Sequence, residues 1–217
     1  MSDTTLKVSD LKSHDCYKLL TAIIVPRPIA FVSTVSDTGV VNAAPYSFFN
    51  MFAEAPPTIV LGLHWRSDTT LKDTTANIRR TGEFVVNLVD EALAQAMSDA
   101  AIDFPPEVSE TEALDIEMAP SDLIKAPRIK AAPFALECRK MVGLSFSAER
   151  ELLLGEIVAI HARDGLLDPA RLYVSPDYHP VGRLNANRYA RQRDIFELKR
   201  PSYEDWAKAK AAPAKKP

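Results

Sequence analysis

Ile29-Ala30-Phe31-Val32-Ser33-Thr34-Val35 is a short run rich in β-branched residues; it stops at Ser36-Asp37-Thr38-Gly39, and apolar sequence restarts at Val40-Val41-Asn42. Strand, turn and strand in that order predict a β-hairpin, with Gly39 supplying the positive φ that a short connection wants. Working outward, Pro56-Pro57 precedes Thr58-Ile59-Val60-Leu61-Gly62-Leu63-His64-Trp65, which is too short for most buried helices and has the composition of a buried strand. Glu83-Phe84-Val85-Val86-Asn87-Leu88-Val89 reads as a further strand. So do Phe134–Val142, or slightly beyond, and Leu152–Arg163. Helices intervene. Leu71, Thr75 and Ile78 fall at helical spacing and Gly82 stands where a C-terminal cap would end the helix. Leu93, Ala96, Met97 and Ala100 line one face of a helix over Glu91–Ala101.

The acidic stretch Asp103 to about Ala113, with Pro105-Pro106, is expected to be a surface loop, and Asp177–Asn187, which has no periodicity, another. Ser202 followed by Asp205 starts a last short helix through Trp206. The Ala, Lys and Pro tail Lys208–Pro217 is expected to be disordered. Several strands at this spacing with few peripheral helices predict a mainly β (α+β) fold, a Greek-key barrel rather than a doubly wound parallel sheet. The organisation expected is an N-terminal segment 1–16, one domain over 17–200, and a short helix with its tail over 201–217.

The chain has 217 residues, 47% hydrophobic and 25% charged, the balance of an ordinary globular domain that needs no disulfide or structural metal to hold a core. A formal net charge of −3 argues against a nucleic-acid partner, whose phosphates call for clustered Lys and Arg. Cys16 and Cys138 are far apart, form no C-x-x-C, and read as reduced. Met1–Asp10 is polar and lacks the apolar region of a secretory signal, and no run approaches the roughly 18 apolar residues of a membrane span. A cytoplasmic setting is the expectation. His14, His64, His161 and His179 share no ligand spacing, so no metal site is expected; His64, next to Trp65 and Arg66, is the histidine placed best to face a site. Neither G-x-G-x-x-G nor a P-loop is present. With only seven glycines, a bound nucleotide must be held without a Gly-rich cradle.

Two stretches carry candidate chemistry. Asn42-Ala43-Ala44-Pro45-Tyr46-Ser47-Phe48-Phe49-Asn50 crowds amide, hydroxyl and aromatic groups around a proline that interrupts regular strand pairing. It could serve the edge and face of a planar heterocycle, or be a strand bend with Phe48 and Phe49 as plain core. Arg66-Ser67-Asp68-Thr69-Thr70-Leu71-Lys72-Asp73-Thr74-Thr75-Ala76-Asn77 lies between a strand end and a helix start. It suits a phosphate, although Ser, Asp and Thr also cap helices for purely structural reasons.

Taken together, Pro26-Arg27-Pro28-Ile29-Ala30-Phe31-Val32-Ser33-Thr34, Asn42–Asn50 and Lys72-Asp73-Thr74-Thr75-Ala76-Asn77-Ile78, followed by Gly82–Leu88 and Pro180-Val181-Gly182-Arg183-Leu184, resemble the flavin reductase-like family in its flavoredoxin-related branch. The resemblance covers about Tyr17 to Tyr189. It implies an FMN-binding split β-barrel, usually a homodimer with flavin sites at the subunit interface. On that resemblance Asn42, Ala44, Pro45, Tyr46, Ser47 and Asn50 are the ring and ribityl contacts. Arg66, Ser67, Lys72, Asp73 and Thr74 are the phosphate region, and Gly182, Arg183 and Tyr189 a closing segment. Family members often carry a Gly pair where this chain has Asn185-Ala186, which puts the path of that segment in question. The activity implied is NAD(P)H:flavin reduction, with NAD(P)H as transient donor and a monooxygenase or electron-transfer protein as partner. A flavoredoxin-like electron carrier, or a non-catalytic flavin-binding or storage protein, is the alternative. Hydride transfer to a flavin requires no side-chain acid or base, so no catalytic residue is named.

Overall fold

The structure, a computed structural model, describes residues 3–65, 70–105, 108–147 and 149–211. After a 3-10 turn at Val8–Asp10, the elements in chain order are α1 Ser13–Ile23, β1 Ala30–Val35, β2 Val41–Tyr46, β3 Phe49–Glu54, β4 Pro57–His64, α2 Asp73–Thr81, β5 Glu83–Leu88, α3 Ala94–Asp99 and α4 Glu110–Ala113. They continue with β6 Met118–Ala119, β7 Arg128–Ile129, β8 Phe134–Ser147, β9 Arg150–Ala162, β10 Leu167–Asp168, β11 Tyr173–Val174, β12 Val181–Arg183, β13 Tyr189–Arg191 and α5 Tyr203–Ala211.

Seven strands form one antiparallel sheet in the order β2-β1-β5-β8-β9-β4-β3. Its two outermost strands, β2 and β3, are consecutive in the chain and separated only by Ser47-Phe48, so the sheet curls until its edges meet and becomes a barrel. The Gly62 N–H donates to the Phe48 carbonyl at 2.7 Å and so carries the β3–β4 ladder one pair beyond Phe49 and Leu61, into the bend. Only glycine allows that approach, because a Cβ at position 62 would lie 2.8 Å from Phe48 Cβ.

Why the decisive stretch reads as a continuous apolar run is now plain. Along β1, Ala30 and Val32 point into the barrel with Ile59, Leu61, Leu63, Phe84, Val86, Cys138 and Leu153. Phe31, with the preceding Ile29, faces the other way, into a second cluster under α3 with Leu93, Met97 and Val181. Both faces are buried, as in a strand covered on two sides. Gly39 and Gly82 take positive φ, 88° and 72°, at the hairpin turn and the end of α2 as the sequence predicts.

Both cysteines are free, and burial pushes the Cys138 thiol well above the ordinary value. Among the described residues no helix is long and apolar enough to cross a membrane.

Several local expectations change. The stretch expected as an acidic surface loop contains α4, capped by Ser109, whose Oγ accepts from Glu112 N; Glu110 and Thr111 are buried. Asp177–Asn187 includes β12, which pairs with β13. The helix expected over 91–101 shortens to Ala94–Asp99. The last helix begins as expected, with Ser202 Oγ accepting from Asp205 N at 3.1 Å, but runs to Ala211, so 208–211 is helical and not disordered. Residues 212–217 lie outside the described residues. Helix α1, which has no strong sequence signal, runs across the boundary expected at residue 16.

Candidate functional site

Beside the seam, β2 and the Ser47-Phe48 bend meet the ends of β4 and α2, the start of α1, residues 100–104, α4 and the tip of the β8–β9 hairpin. Between them is a cleft of about 710 Å³, within the usual size of a small-molecule or cofactor site.

The bend is fixed by Arg27, which is 8% exposed. Its Nη1 donates to the carbonyls of Thr21 (2.7 Å) and Ile24 (2.8 Å) at the end of α1, and its Nη2 to Leu184 O at 2.9 Å. Its Nε reaches Ser47 Oγ at 3.4 Å. One buried guanidinium thus ties together the terminal carbonyls of α1, the strand bend and the chain after β12.

Asn42 faces inward. Its Oδ1 accepts from Thr74 Oγ1 at 2.7 Å and from Thr34 Oγ1 at 3.4 Å, and its Nδ2 donates to Glu110 Oε1 at 2.8 Å. Ala43 N donates to the other Glu110 oxygen at 3.3 Å. Burial pushes the Glu110 carboxyl above its ordinary value, opposed by amide donors from its own backbone, Ala43 and Asn42, with Asp73 adding to the rise. The network joins β2, α2 and α4 beneath the cleft.

The Tyr46 hydroxyl is buried and has no hydrogen-bond partner among the described residues. The nearby Thr74 hydroxyl is committed to Asn42. Burial pushes the Tyr46 pKa up to about 12, a rise that Thr74 moderates. A buried hydroxyl left over in this way fits a polar ligand atom.

His64, Lys72 and Arg150 also line the cleft. Burial lowers the His64 pKa, and the charges of Arg150 and Lys72 lower it further, so its ring is neutral at neutral pH. Lys72 is the N-cap of α2 and pairs with the exposed Asp103 at 3.2 Å. The Arg150 guanidinium lies over the Phe48 ring, 5.7 Å from its centroid. A cation, a helix N-terminus and a neutral imidazole in one cleft suit an anionic group such as a phosphate, whereas Asp73 in the first turn of α2 works against one.

The cleft brings together Asn42, Ala44, Pro45, Tyr46 and Ser47 from one predicted stretch and Lys72, Asp73 and Thr74 from the other. Arg66 and Ser67 lie outside the described residues. Asn50 does not line this cleft: it is exposed on β3, its Oδ1 accepts from Met51 N, and it borders a separate apolar recess of about 330 Å³. Gly182, Arg183 and Tyr189 also stand apart, on the β12–β13 hairpin, where the Arg183 guanidinium donates to Tyr189 Oη and covers its ring. Their link to the cleft is indirect, through Arg27, which meets the hairpin by backbone hydrogen bonds and donates to Leu184 O.

Among the lining residues that the sequence reading did not single out are Glu110, Arg150 and Tyr17. Glu110 was lost in an acidic stretch that Ser109 could have marked as a helix start. Arg150 and Tyr17 carry no sequence signal. His64 lines the cleft, as its place beside Trp65 suggested.

Elsewhere, Asp122, Glu137 and His161 bring ligand-type atoms within 4.8 Å of one another. The buried Glu137 carboxylate accepts from the amides of Asp122 (2.7 Å) and Leu123 (2.8 Å) and meets His161 Nε2 at 2.5 Å. Burial opposes its ionisation, but these donors pull its pKa below the ordinary value. The group clamps the 121–123 loop to the barrel.

A family model described as a flavin reductase like domain matches residues 23–182. Among solved structures, the chain is similar to 2-nitrobenzoate 2-nitroreductase of Pseudomonas fluorescens, at 39% identity over 92% of this chain and 98% of that one, with a TM-score of 0.86. It is also similar to component B of nitrilotriacetate monooxygenase from Bacillus cereus, at 33% identity over 91% of this chain and 100% of that one, with a TM-score of 0.82. A split-barrel protein of Shewanella frigidimarina, 16% identical over 89% of this chain and 96% of that one, superposes with a TM-score of 0.75. The fold is the mainly β split barrel expected from the sequence.

Proposed function

This chain belongs to the flavin reductase-like family, and from that premise we propose that it is an FMN-binding oxidoreductase that draws hydride from NADH or NADPH. The observation that carries the reading is the single cleft in which Ala44, Pro45, Tyr46 and Ser47 converge with Lys72 and Thr74 from a distant stretch. The β2 bend would run along the flavin ring, with the Tyr46 hydroxyl as a hydrogen-bonding group. Lys72 and the N-terminus of α2 would hold the phosphate. FMN bound there would supply the hydride acceptor. The protein's own share is orientation and exclusion of water, with Tyr17 and Phe48, ring centroids 6.2 Å apart, walling one side. Family membership supports a cytoplasmic homodimer that passes electrons to a monooxygenase or an electron-transfer protein.

The similarity to 2-nitrobenzoate 2-nitroreductase supports a second reading, in which a nitroaromatic compound is itself the electron acceptor. One experiment tests both. Purified protein with FMN should oxidise NADH or NADPH, and absence of turnover with either donor would overturn the oxidoreductase reading. Added 2-nitrobenzoate consumed in proportion to nicotinamide selects the second reading. Nitrobenzoate left intact while free flavin is reduced selects the first.

A further inference from the structure

Beyond β13 the chain leaves the body. Arg191 and Arg193 are anchored on Glu91, Arg193 at 3.2 Å, and Gln192 borders the 330 Å³ apolar recess. From residue 194 onward, among the described residues, every hydrogen bond, ion pair and ring contact is internal to the segment: Ser202 with Trp206 and Asp205, Tyr203 with Trp206, and Lys210 with Trp206. Among its charged residues, this arm also exposes large apolar side chains. Ile195, Phe196, Leu198 and Tyr203 are 78–82% exposed, and Trp206 is 49% exposed. Spacer segments are rich in polar residues because exposed apolar side chains cost solvation. Four such residues within nine positions call for a cover.

The body carries a matching uncovered surface. Met51 and Phe52 on β3 are 69% and 65% exposed, and Met51 also lines the recess that Gln192 borders. The root of the arm and the apolar strip are therefore neighbours in one copy. A two-fold axis beside the recess would place each arm over the other copy's strip. The nine residues 194–202 before α5 can span about 30 Å, so reach is no obstacle. Both halves of the contact sit on the same chain, which is the requirement for an isologous interface. The five apolar side chains of the arm offer roughly 800 Å², about what each partner buries in a stable complex.

We infer that the arm of residues 194–211 is exchanged between two copies of this chain, its Ile195, Phe196 and Leu198 covering the Met51–Phe52 strip and recess of the other copy. The inference rests on the homodimer reading above and names the segment that makes the dimer.

The test is sedimentation of the full chain, of the triple variant Ile195→Asp/Phe196→Asp/Leu198→Asp, and of the double variant Met51→Asp/Phe52→Asp, each with its fold checked by circular dichroism. The expected result is a dimeric full chain and a dissociation constant raised at least 100-fold in both variants. The chain has two tryptophans, so Trp65→Phe leaves Trp206 as the sole reporter. Its emission should shift to the blue over the concentration range in which the dimer forms. A dimer that persists undiminished in the triple variant overturns the arm exchange and leaves the homodimer standing. A full chain that is monomeric at all concentrations overturns both. Trp206 emission already blue at monomer concentrations shows the arm folded onto its own body, and overturns the exchange.

Discussion

Asn42 on β2 donates its side-chain amide to Glu110 Oε1 at 2.8 Å across 68 residues of sequence, in a buried contact beneath the cleft. The acceptor is a carboxyl whose pKa is raised by burial and which has no cationic hydrogen-bond partner among the described residues. Amide donors from its own backbone, Ala43 and Asn42 hold it, and that arrangement has consequences for stability and for pH.

A raised carboxyl pKa means that the folded protein binds its proton more tightly than the unfolded chain does. Stability contributed by Glu110 is therefore full below the ordinary value of 4.5 and declines as pH rises through the folded pKa. Glu110→Gln carries no such dependence. Its stability relative to the parent should increase as pH rises above 4.5 and level off once the folded carboxyl is ionised, as read by urea unfolding at a series of pH values. A constant difference across that range would show that Glu110 does not titrate in the folded protein.

Lys72 is paired with the exposed Asp103, so its charge is available to a ligand that outcompetes a solvated carboxylate. Lys72→Ala should weaken FMN about tenfold, the size of one charge-assisted hydrogen bond, and leave riboflavin nearly unchanged. Asp103→Asn should tighten FMN about two- to threefold by releasing Lys72. Calorimetric titration with both flavins checks this, and equal losses for the two in Lys72→Ala place the phosphate elsewhere.

Tyr46→Phe separates ligand binding from folding. Removing a buried hydroxyl without a partner should leave the ligand-free protein as stable or up to about 1 kcal/mol more stable. Removing a group that meets the flavin should weaken both FMN and riboflavin about three- to tenfold. Thermal unfolding without ligand and flavin titration should therefore move in opposite directions.

Arg27→Lys keeps the charge and loses the fork that serves Thr21, Ile24 and Leu184. Buried carbonyls left without donors should cost about 2–4 kcal/mol in denaturant unfolding. Because Arg27 positions Ser47 and not the phosphate region, FMN and riboflavin should weaken together, in contrast to Lys72→Ala.

Gly62→Ala tests the close approach of β4 to the Ser47-Phe48 bend. The added methyl meets Phe48 Cβ at 2.8 Å, and the strain should lower stability by about 1–3 kcal/mol. A variant with unchanged stability would show that β4 and the bend can separate freely.

Much of this was legible in sequence, because the signals are local. A short run rich in β-branched residues with Gly39 after it specifies β1 and its turn, and helical spacing closed by Gly82 specifies α2, since backbone sterics and turn chemistry act within a few residues. The residue types of both cleft-lining stretches could be quoted in advance for the same reason. What the sequence could not express was direction and distance. Asn42 reads as a ligand contact, yet turns to Glu110 because barrel closure brings α4 beneath β2. Gly182, Arg183 and Tyr189 read as part of the site, yet Arg183 pairs with Tyr189 and Gly182 with Ala190 on a separate hairpin that meets Arg27 through backbone hydrogen bonds. Asn50 follows Ser47 by three residues and lies on another surface, because the chain crosses the seam between them. The sequence by itself determined which elements form and which residues can bind; only the closed barrel decided which of those residues meet, because contacts across tens of residues depend on how the sheet curls and no local propensity encodes that.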